Sequence, residues 1–424
     1  MSRKDYEWDD GAVLEEHSAR KLKILREYFS KYLAVRCGLP RQERFRLAIV
    51  DGFAGGGSYK CGTSGSPLIF IEELQRAADS LNILRAAQGS SPLTIDCLLI
   101  LNDAGEEANR VLRENVEPLR AAIPDVTPRL NLEVVYETSK FEEVYPKIKA
   151  RLLAAKYTSV LFNLDPCGHS HVERETIVDI IRSFKSVEIF YTLMITSLLA
   201  FLQKADSTEL NRQLRHVDLS ADQLGRLDEV VSRKEWLGTG ERIVFDAYQN
   251  CASFVSPFSI NNPKGWRYWL LHFSSMYRAR QVYNNVLHAN STQQAHFGRS
   301  GLEMLAYDPR DDGGSIYLFD NDGRARALDQ LTDDIPKLIS NAGDAMTVPE
   351  FYEAIYNGTP AHSDDIHAAL IQSPDIEVIT STGGERRSAN AIAIDDVIRL
   401  KRQKSFFVTF SQGRVLQRKP ERTD

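Results

Sequence analysis

The sequence predicts an α/β protein: a doubly wound parallel sheet followed by a C-terminal winged-helix module. Three observations carry that prediction. Short apolar runs alternate with helical patterns from Phe45 to Ile195, and polar or glycine residues stand at the ends of those runs. After Ala345 the order becomes helix, helix, strand, glycine turn, strand. A chain of 424 residues exceeds one core of about 100–200 residues, so two domains are expected. Its 43% hydrophobic and 26% charged residues exclude a largely disordered chain, a collagen-like repeat and a small disulfide scaffold.

The elements follow in order. Leu22, Leu25, Phe29 and Leu33 recur at helical spacing, predicting a helix over 15–39 that Gly38-Leu39-Pro40 stops. Phe45–Val50 reads as a buried strand running into Asp51-Gly52-Phe53-Ala54-Gly55-Gly56-Gly57. Pro67 opens a helix over 66–80 at a first-turn position. Strands at 97–101, 132–136, 159–164 and 187–195 alternate with helices at 106–115, 141–155 and 176–184. Residues 200–255 read as a charged helical insertion. Tyr268–Phe273 reads as a core strand rather than a base-stacking surface, 277–289 as a helix and 315–319 as a strand. The acid- and turn-rich stretch 308–334 reads as a boundary region. The main domain is thus expected over 1–335, the winged helix over 345–412 and a basic tail over 413–424.

In that module, helices are expected at 348–356 and 363–373 and strands at 376–379 and 391–394, with the wing turn at 383–387. The second helix holds no Lys or Arg, so ordinary major-groove docking is disfavoured. From Arg386 onward ten Lys/Arg face four Asp/Glu, a balance of +6 on a chain of net charge −6. Any nucleic-acid contact is therefore expected to be weak, salt-sensitive and carried by Arg386, Arg387, Arg399, Lys401, Arg402 and Lys404. A protein-docking role for this module is the competing expectation.

Five scattered cysteines (Cys37, Cys61, Cys97, Cys167, Cys251) suit a reducing cytoplasm and form no zinc pattern; no metal is expected. His169 and His171 lack further metal ligands, and His169 reads as a substrate-contacting or proton-handling residue instead. No membrane span or signal peptide is expected, because the apolar runs are strand-sized and MSRKDYEWDDG is polar.

Three constellations carry the chemistry. The glycines after Val50 allow a ligand close approach to the backbone, with Asp51 free to take up ammonium or hydroxyl groups. No GK[ST] follows, so this is not a P-loop, and the pattern departs from GxGxxG. Asn102-Asp103 ends a later strand, where Asp103 can accept both hydroxyls of a ribose or cap the following helix; Asn102 is the competing choice. Asn163-Leu164-Asp165-Pro166-Cys167-Gly168 places a carboxylate and a carbonyl at a pocket rim, where they can accept hydrogen bonds from an amino group. A simple strand-ending turn is the alternative there.

Taken together, the block Asp51–Gly57 with Gly65-Ser66-Pro67-Leu68 resembles the DGFAGxG…GSP signature of the three-Cys-motif partner (TcmP) family. Lys21–Phe29 is similar to that family's opening helix, and Asp165-Pro166-Cys167-Gly168 to its DPxG. The resemblance covers residues 15–310. It implies a Rossmann-like, S-adenosylmethionine-dependent methyltransferase domain, distantly related to ribosomal RNA adenine methyltransferases. It also implies a three-Cys-motif partner with an iron–sulfur cluster. By the same resemblance Asp51, Phe53, Ala54, Gly55 and Gly57 line the methionine end of the cofactor and Asp103 (or Asn102) holds the ribose. Ser139 to Phe141 border the adenine, with Glu137 standing in for a missing acid. Asp165 and Pro166 face the acceptor as catalytic residues, with Cys167, Gly168, His169 and Tyr59 on the substrate side. No aromatic residue follows Asp165-Pro166 directly, so a base-stacking platform must come from Phe53, Tyr59, His169 or His171. A catalytically inactive, cofactor-binding scaffold that docks the three-Cys partner is the alternative reading.

Overall fold

Leu47–Val50 shows no polar alternation because this part of its strand is covered on both faces. The computed structural model describes residues 12–166, 172–194, 242–261, 267–291, 294–304 and 316–401. In it β1 (Arg44–Asp51) lies parallel between β2 (Thr94–Asn102) and β4 (Ser159–Leu164). Parallel β3 (Leu130–Glu137) and β5 (Ser186–Leu193) extend the two sides. Antiparallel β6 (Phe254–Asn261), β7 (Arg267–Ser274), β8 (Gln294–Phe297) and β9 (Ile316–Leu318) complete the order β3-β2-β1-β4-β5-β7-β6-β8-β9. The chain steps outward from β1 to β3 and then returns to β4. That reversal opens a crevice beyond the carboxyl ends of β1 and β4, the place where open α/β sheets bind ligands.

Alternate residues of the strands feed two cores. Leu47, Ile49, Ile95 and Leu99 pack with Phe29 of α1 (Glu16–Arg36), Leu74 of α2 (Ser66–Ala87) and Leu112 of α3 (Glu106–Val126). Ala48, Val50, Leu98 and Ile100 pack with Val144 and Ile148 of α4 (Phe141–Ala154) and Ile177 of α5 (Arg174–Ser183). α3 runs well past the expected end at 115, through Pro118 and Pro124. Burial of Val116 and Ile123 outweighs the lost backbone hydrogen bonds.

Three expectations need correction. Residues 254–261, partly assigned to a helical insertion, form β6; residues 242–248 are helical, and 195–241 lie outside the described residues. Pro257 hid this strand. Its missing N–H faces away from β7, along the edge where Val255 N–H meets Asn357 Oδ1 at 2.9 Å and where β8 pairs at Ser259 and Ile260, so no described ladder bond is lost. Of the expected boundary stretch 308–334, residues 308–315 lie outside the described ones, 316–318 form β9 and 321–334 belong to α7 (Asn321–Asn341), so residue 335 falls inside a helix. Asp322, Asp329 and Asp333 sit outside while Ala327, Leu331, Ile335 and Ile339, spaced by four, are buried. Asp320 caps it, accepting from Gly323 N–H at 2.8 Å.

The third correction is in the wing. Beyond α7 the chain forms β10 (Ala345–Thr347), α8 (Val348–Ile355), α9 (Ser363–Gln372) and β11 (Ile376–Ile379). The last strand among the described residues is β12 (Val397–Leu400), central in the order β10-β12-β11, and not 391–394. Arg386 makes a two-point ion pair with Asp396, at 2.8 and 3.0 Å, and Ala393 N–H donates to the same carboxylate at 2.7 Å. That closes 386–396 into a loop, leaving Ile394 half exposed and moving the strand beyond the anchor.

The C-terminal module is seated on α6 (Tyr277–Ala289) by a ladder of side chains one turn apart. Arg280 Nε donates to Tyr356 O at 3.0 Å and Nη2 to Thr359 O at 3.2 Å. Asn284 Nδ2 donates to Thr359 O and Ala361 O, both at 3.1 Å, and His288 Nε2 lies 3.0 Å from Pro360 O. Burial is the main force holding the His288 imidazole down at about 4, so it is neutral at pH 7. The connection between α8 and α9 is therefore fastened into the α/β unit rather than presented outward.

Candidate functional site

The site is built at the crevice from the ends of β1, β2 and β4. Main-chain bonds fix its floor: Gly52 N–H donates to Asn163 O and Ala54 N–H to Asn102 O, each at 2.9 Å. Gly55 and Gly57 adopt φ of 58° and 81°, the left-handed region that favours glycine. Gly65 N–H donates to Gly57 O at 2.7 Å, and a Cβ on Gly65 would lie 2.9 Å from that oxygen. The glycine of the GSP block is thus required for closing the loop, separately from any ligand. A Cβ on Gly52 would strike Phe141 and Leu164 at 2.7 and 2.8 Å.

Asp51 is fully buried at the end of β1. Asn163 Nδ2 donates to its Oδ1 at 3.2 Å, while Oδ2 has no hydrogen-bond partner. Burial raises the Asp51 carboxyl to about 7; the dipoles of Ser66, Asn163 and Phe53 N–H near it pull the other way, and the Asp165 charge adds to the rise. Asn102 is also buried: its amide N–H groups bind Gly52 O and Ser139 O, both at 3.0 Å, and its Oδ1 is unpartnered. Each of these two oxygens retains the capacity to accept a hydrogen bond.

The second acid is arranged differently. Asp103 Oδ2 accepts from Gly55 N–H and Oδ1 from Gly105 N–H, each at 2.9 Å. It ties the glycine loop to β2, and the cap of α3 is Gly105 rather than Asp103. Asn109 Nδ2 binds Asp103 O and Glu137 O, joining the ends of β2 and β3. The Glu137 carboxylate faces Lys147 at 2.7 Å. Phe53 and Phe141 pack with ring centroids 5.9 Å apart beside Gly52.

On the β4 side Asp165 and Pro166 are half-buried at the rim. Lys21 Nζ lies 2.7 Å from both Asp165 oxygens. Tyr59, in the loop that follows β1, is bridged to Ala12. Cys167, Gly168, His169 and His171 lie outside the described residues. The structure therefore gathers Asp51, Phe53, Ala54, Gly55, Gly57, Asn102, Asp103, Ser139, Phe141, Asp165 and Pro166 around one crevice. Sequence reasoning assigned no role to Asn163, Ser66 or Asn109, nor a site role to Lys21. Asn163 had a usable signal, a polar residue inside an otherwise apolar strand. Among the described residues no group of three or more His, Cys, Asp or Glu is placed to hold a metal, and no helix is long and apolar enough to cross a membrane.

The C-terminal module offers a second candidate surface. α9 buries Ser363, Asp365, Ile366, Ala369 and Leu370, leaving Asp364 and Gln372 exposed. Its first turn is held by Asn285, bonded to Ser363 N and Oγ at 3.0 and 2.8 Å, and by a two-point Arg324–Asp365 ion pair. With β10–β12 beside them, α7, α8 and α9 have the order of a helix-turn-helix with a wing. Residues 306–383 match the family model described as GMT-like wHTH domain. The C-terminal unit is a winged-helix domain. The match takes in α7 as well as α8 and α9. No curated protein matches the chain. Of the wing cations, Arg386 is paired with Asp396 and Arg399 with Glu377, while Arg387 is exposed; Arg402, Lys404 and the tail at 413–424 lie outside the described residues. A cavity of about 700 Å³ runs between Lys337 and Ser340 of α7 and Arg399–Lys401, away from the crevice.

Proposed function

We propose that the chain is an S-adenosylmethionine-dependent methyltransferase of the three-Cys-motif partner type. Its acceptor is an amino group on nucleic acid, and an iron–sulfur three-Cys-motif protein is its partner. One observation carries the reading most: the unpartnered Asp51 Oδ2 and Asn102 Oδ1 at the switch-point crevice, inside the block that resembles the family signature. Bound there, S-adenosylmethionine would supply a methyl group on a positively charged sulfur. Asp51 would take its ammonium group, and the bare backbone at Gly55 and Gly57 would let the ligand approach. Asp103 would meet the ribose with the lone pairs left by Gly55 and Gly105. Asp165 and the Pro166 carbonyl would accept from the acceptor's N–H groups and orient its nitrogen; such positioning contributes much of a transfer reaction's rate.

Asp51 gives this reading a proton signature. Its carboxyl titrates near 7 in the folded chain, above the usual 3.8. A cation beside it favours the ionised form, so binding should expel roughly half a proton at pH 7 and almost none at pH 9. Calorimetric titration with S-adenosylmethionine in two buffers of different ionisation enthalpy measures this directly. Absence of binding at millimolar cofactor would sink the proposal. Asp165→Ala should lower methyl transfer to nucleic acid by roughly 100-fold or more while cofactor affinity stays within about threefold. Loss of the cofactor in that variant would move Asp165 to the donor side.

A second reading is favoured by the Lys21–Asp165 pair and by the buried face of α9: a cofactor-binding scaffold without catalysis, whose winged helix docks the iron–sulfur partner. Cofactor binding with no transfer to DNA, RNA or protein in a tritium screen would select it.

A further inference from the structure

Residues 12–21 cross the carboxyl edge of the sheet. Ala12 bridges to Tyr59, its carbonyl accepting from Lys60 N–H at 2.9 Å, in the loop that follows β1. His17 stacks on Tyr268 of β7 with ring centroids 4.4 Å apart and planes 6° from parallel. One turn on, Lys21 Nζ is 2.7 Å from both oxygens of Asp165, just after β4, and 5.7 Å from the Tyr268 ring centroid. Tyr268 directly precedes Trp269, which is in register with Leu193 at the end of β5. The segment thus touches the loop after β1, the end of β4 and the strand beside β5.

The Lys21 side chain is 12% exposed, although lysine is almost never buried without a reason. Holding this long side chain in one rotamer costs entropy, and the two-point contact with Asp165 offsets it. An ammonium presents three N–H donors on a compact charge. It sits on the same carboxylate that, in the reading above, accepts N–H donors from the substrate.

We infer that Lys21 is a specificity-determining residue on the acceptor side: until an acceptor arrives, its ammonium occupies the Asp165 position that the acceptor's N–H groups take. The inference rests on the proposed function and narrows it. An exocyclic amine brings two donors to the carboxylate and can replace the ammonium. A hydroxyl or thiol brings only one and competes poorly. The displaced lysine swings outward on its flexible stem, which needs no backbone movement.

Cytidine is a suitable probe, since it carries an exocyclic amino group but not the adenine that a cofactor pocket would accept. N4,N4-dimethylcytidine is the control without N–H donors. Titrating both into the full-length chain, Lys21→Met should bind cytidine roughly tenfold tighter than the parent, equivalent to about 1.4 kcal/mol. Lys21→Arg should behave as the parent, and the dimethylated control should not distinguish the three. Lys21→Leu, which also has no donor, replaces the methionine variant if that one fails to fold. Equal cytidine affinity in parent and variant, or no cytidine binding to either, overturns the inference. S-adenosylmethionine titration of the same samples separates the two levels. A parent chain that fails to bind cofactor sinks the proposed function and the inference with it, whereas normal cofactor binding with unchanged cytidine affinity sinks only the role of Lys21.

Discussion

Arg280→Met should destabilise the folded chain by about 2–4 kcal/mol and loosen the winged helix from the α/β unit. Arg280 is fully buried, yet its hydrogen bonds go to two carbonyls and a thioether rather than to a carboxylate. Burial lowers its guanidinium to about 9, so it stays cationic at neutral pH. Its charge lies 4.3 Å from the Phe258 ring centroid, a contact generally worth about 1–2 kcal/mol when desolvated. Removing it leaves Tyr356 O without its Arg280 donor, whereas Thr359 O keeps Asn284. Relief of the buried charge offsets part of the loss, which is why the expected figure stays below the sum of the contacts. Denaturant unfolding followed separately by a probe near Tyr352 and one on the central sheet checks this. The expected result is an earlier transition at the winged helix; coincident transitions at the parental midpoint would show that the ladder is not the fastening.

Gly55→Val should leave the fold in place and abolish S-adenosylmethionine binding, a loss of roughly 100-fold or about 3 kcal/mol. Gly55 has φ of 58°, and a β-branched residue there is strained by about 1–2 kcal/mol. Its N–H anchors Asp103 Oδ2 at 2.9 Å, so a local shift would also disturb the proposed ribose acid. The variant's melting curve and cofactor titration read the two effects separately. Parental affinity in a folded variant would place the cofactor elsewhere.

The core strands were legible because two-sided burial writes itself as continuous apolar runs, as in Leu47–Val50 and Leu98–Leu101. The glycine turn was legible because a left-handed backbone and a close loop contact admit few residues besides glycine. Pro257 concealed β6, and the acids on the outer face of α7 concealed its buried stripe, because composition was weighed there ahead of period. The wing strand was misplaced since Ala391–Ile394 is apolar, while the Arg386–Asp396 pair that leaves Ile394 exposed spans a ten-residue loop.

What the sequence by itself determined is local: the alternation of strand and helix, the polar residues ending each strand, and the two helices of the C-terminal module. Only the tertiary structure decided which of those residues meet. Lys21 and Asp165 are 144 residues apart along the chain, and Arg280 is 76 residues from the carbonyl it holds. Neither partner carries a local pattern announcing the other, because a hydrogen bond or ion pair depends on distance and direction in space. The same holds for charge. Asp51 and Asp165 have the same side chain, but complete burial lifts Asp51 to about 7, whereas Asp165 lies at the rim against an ammonium.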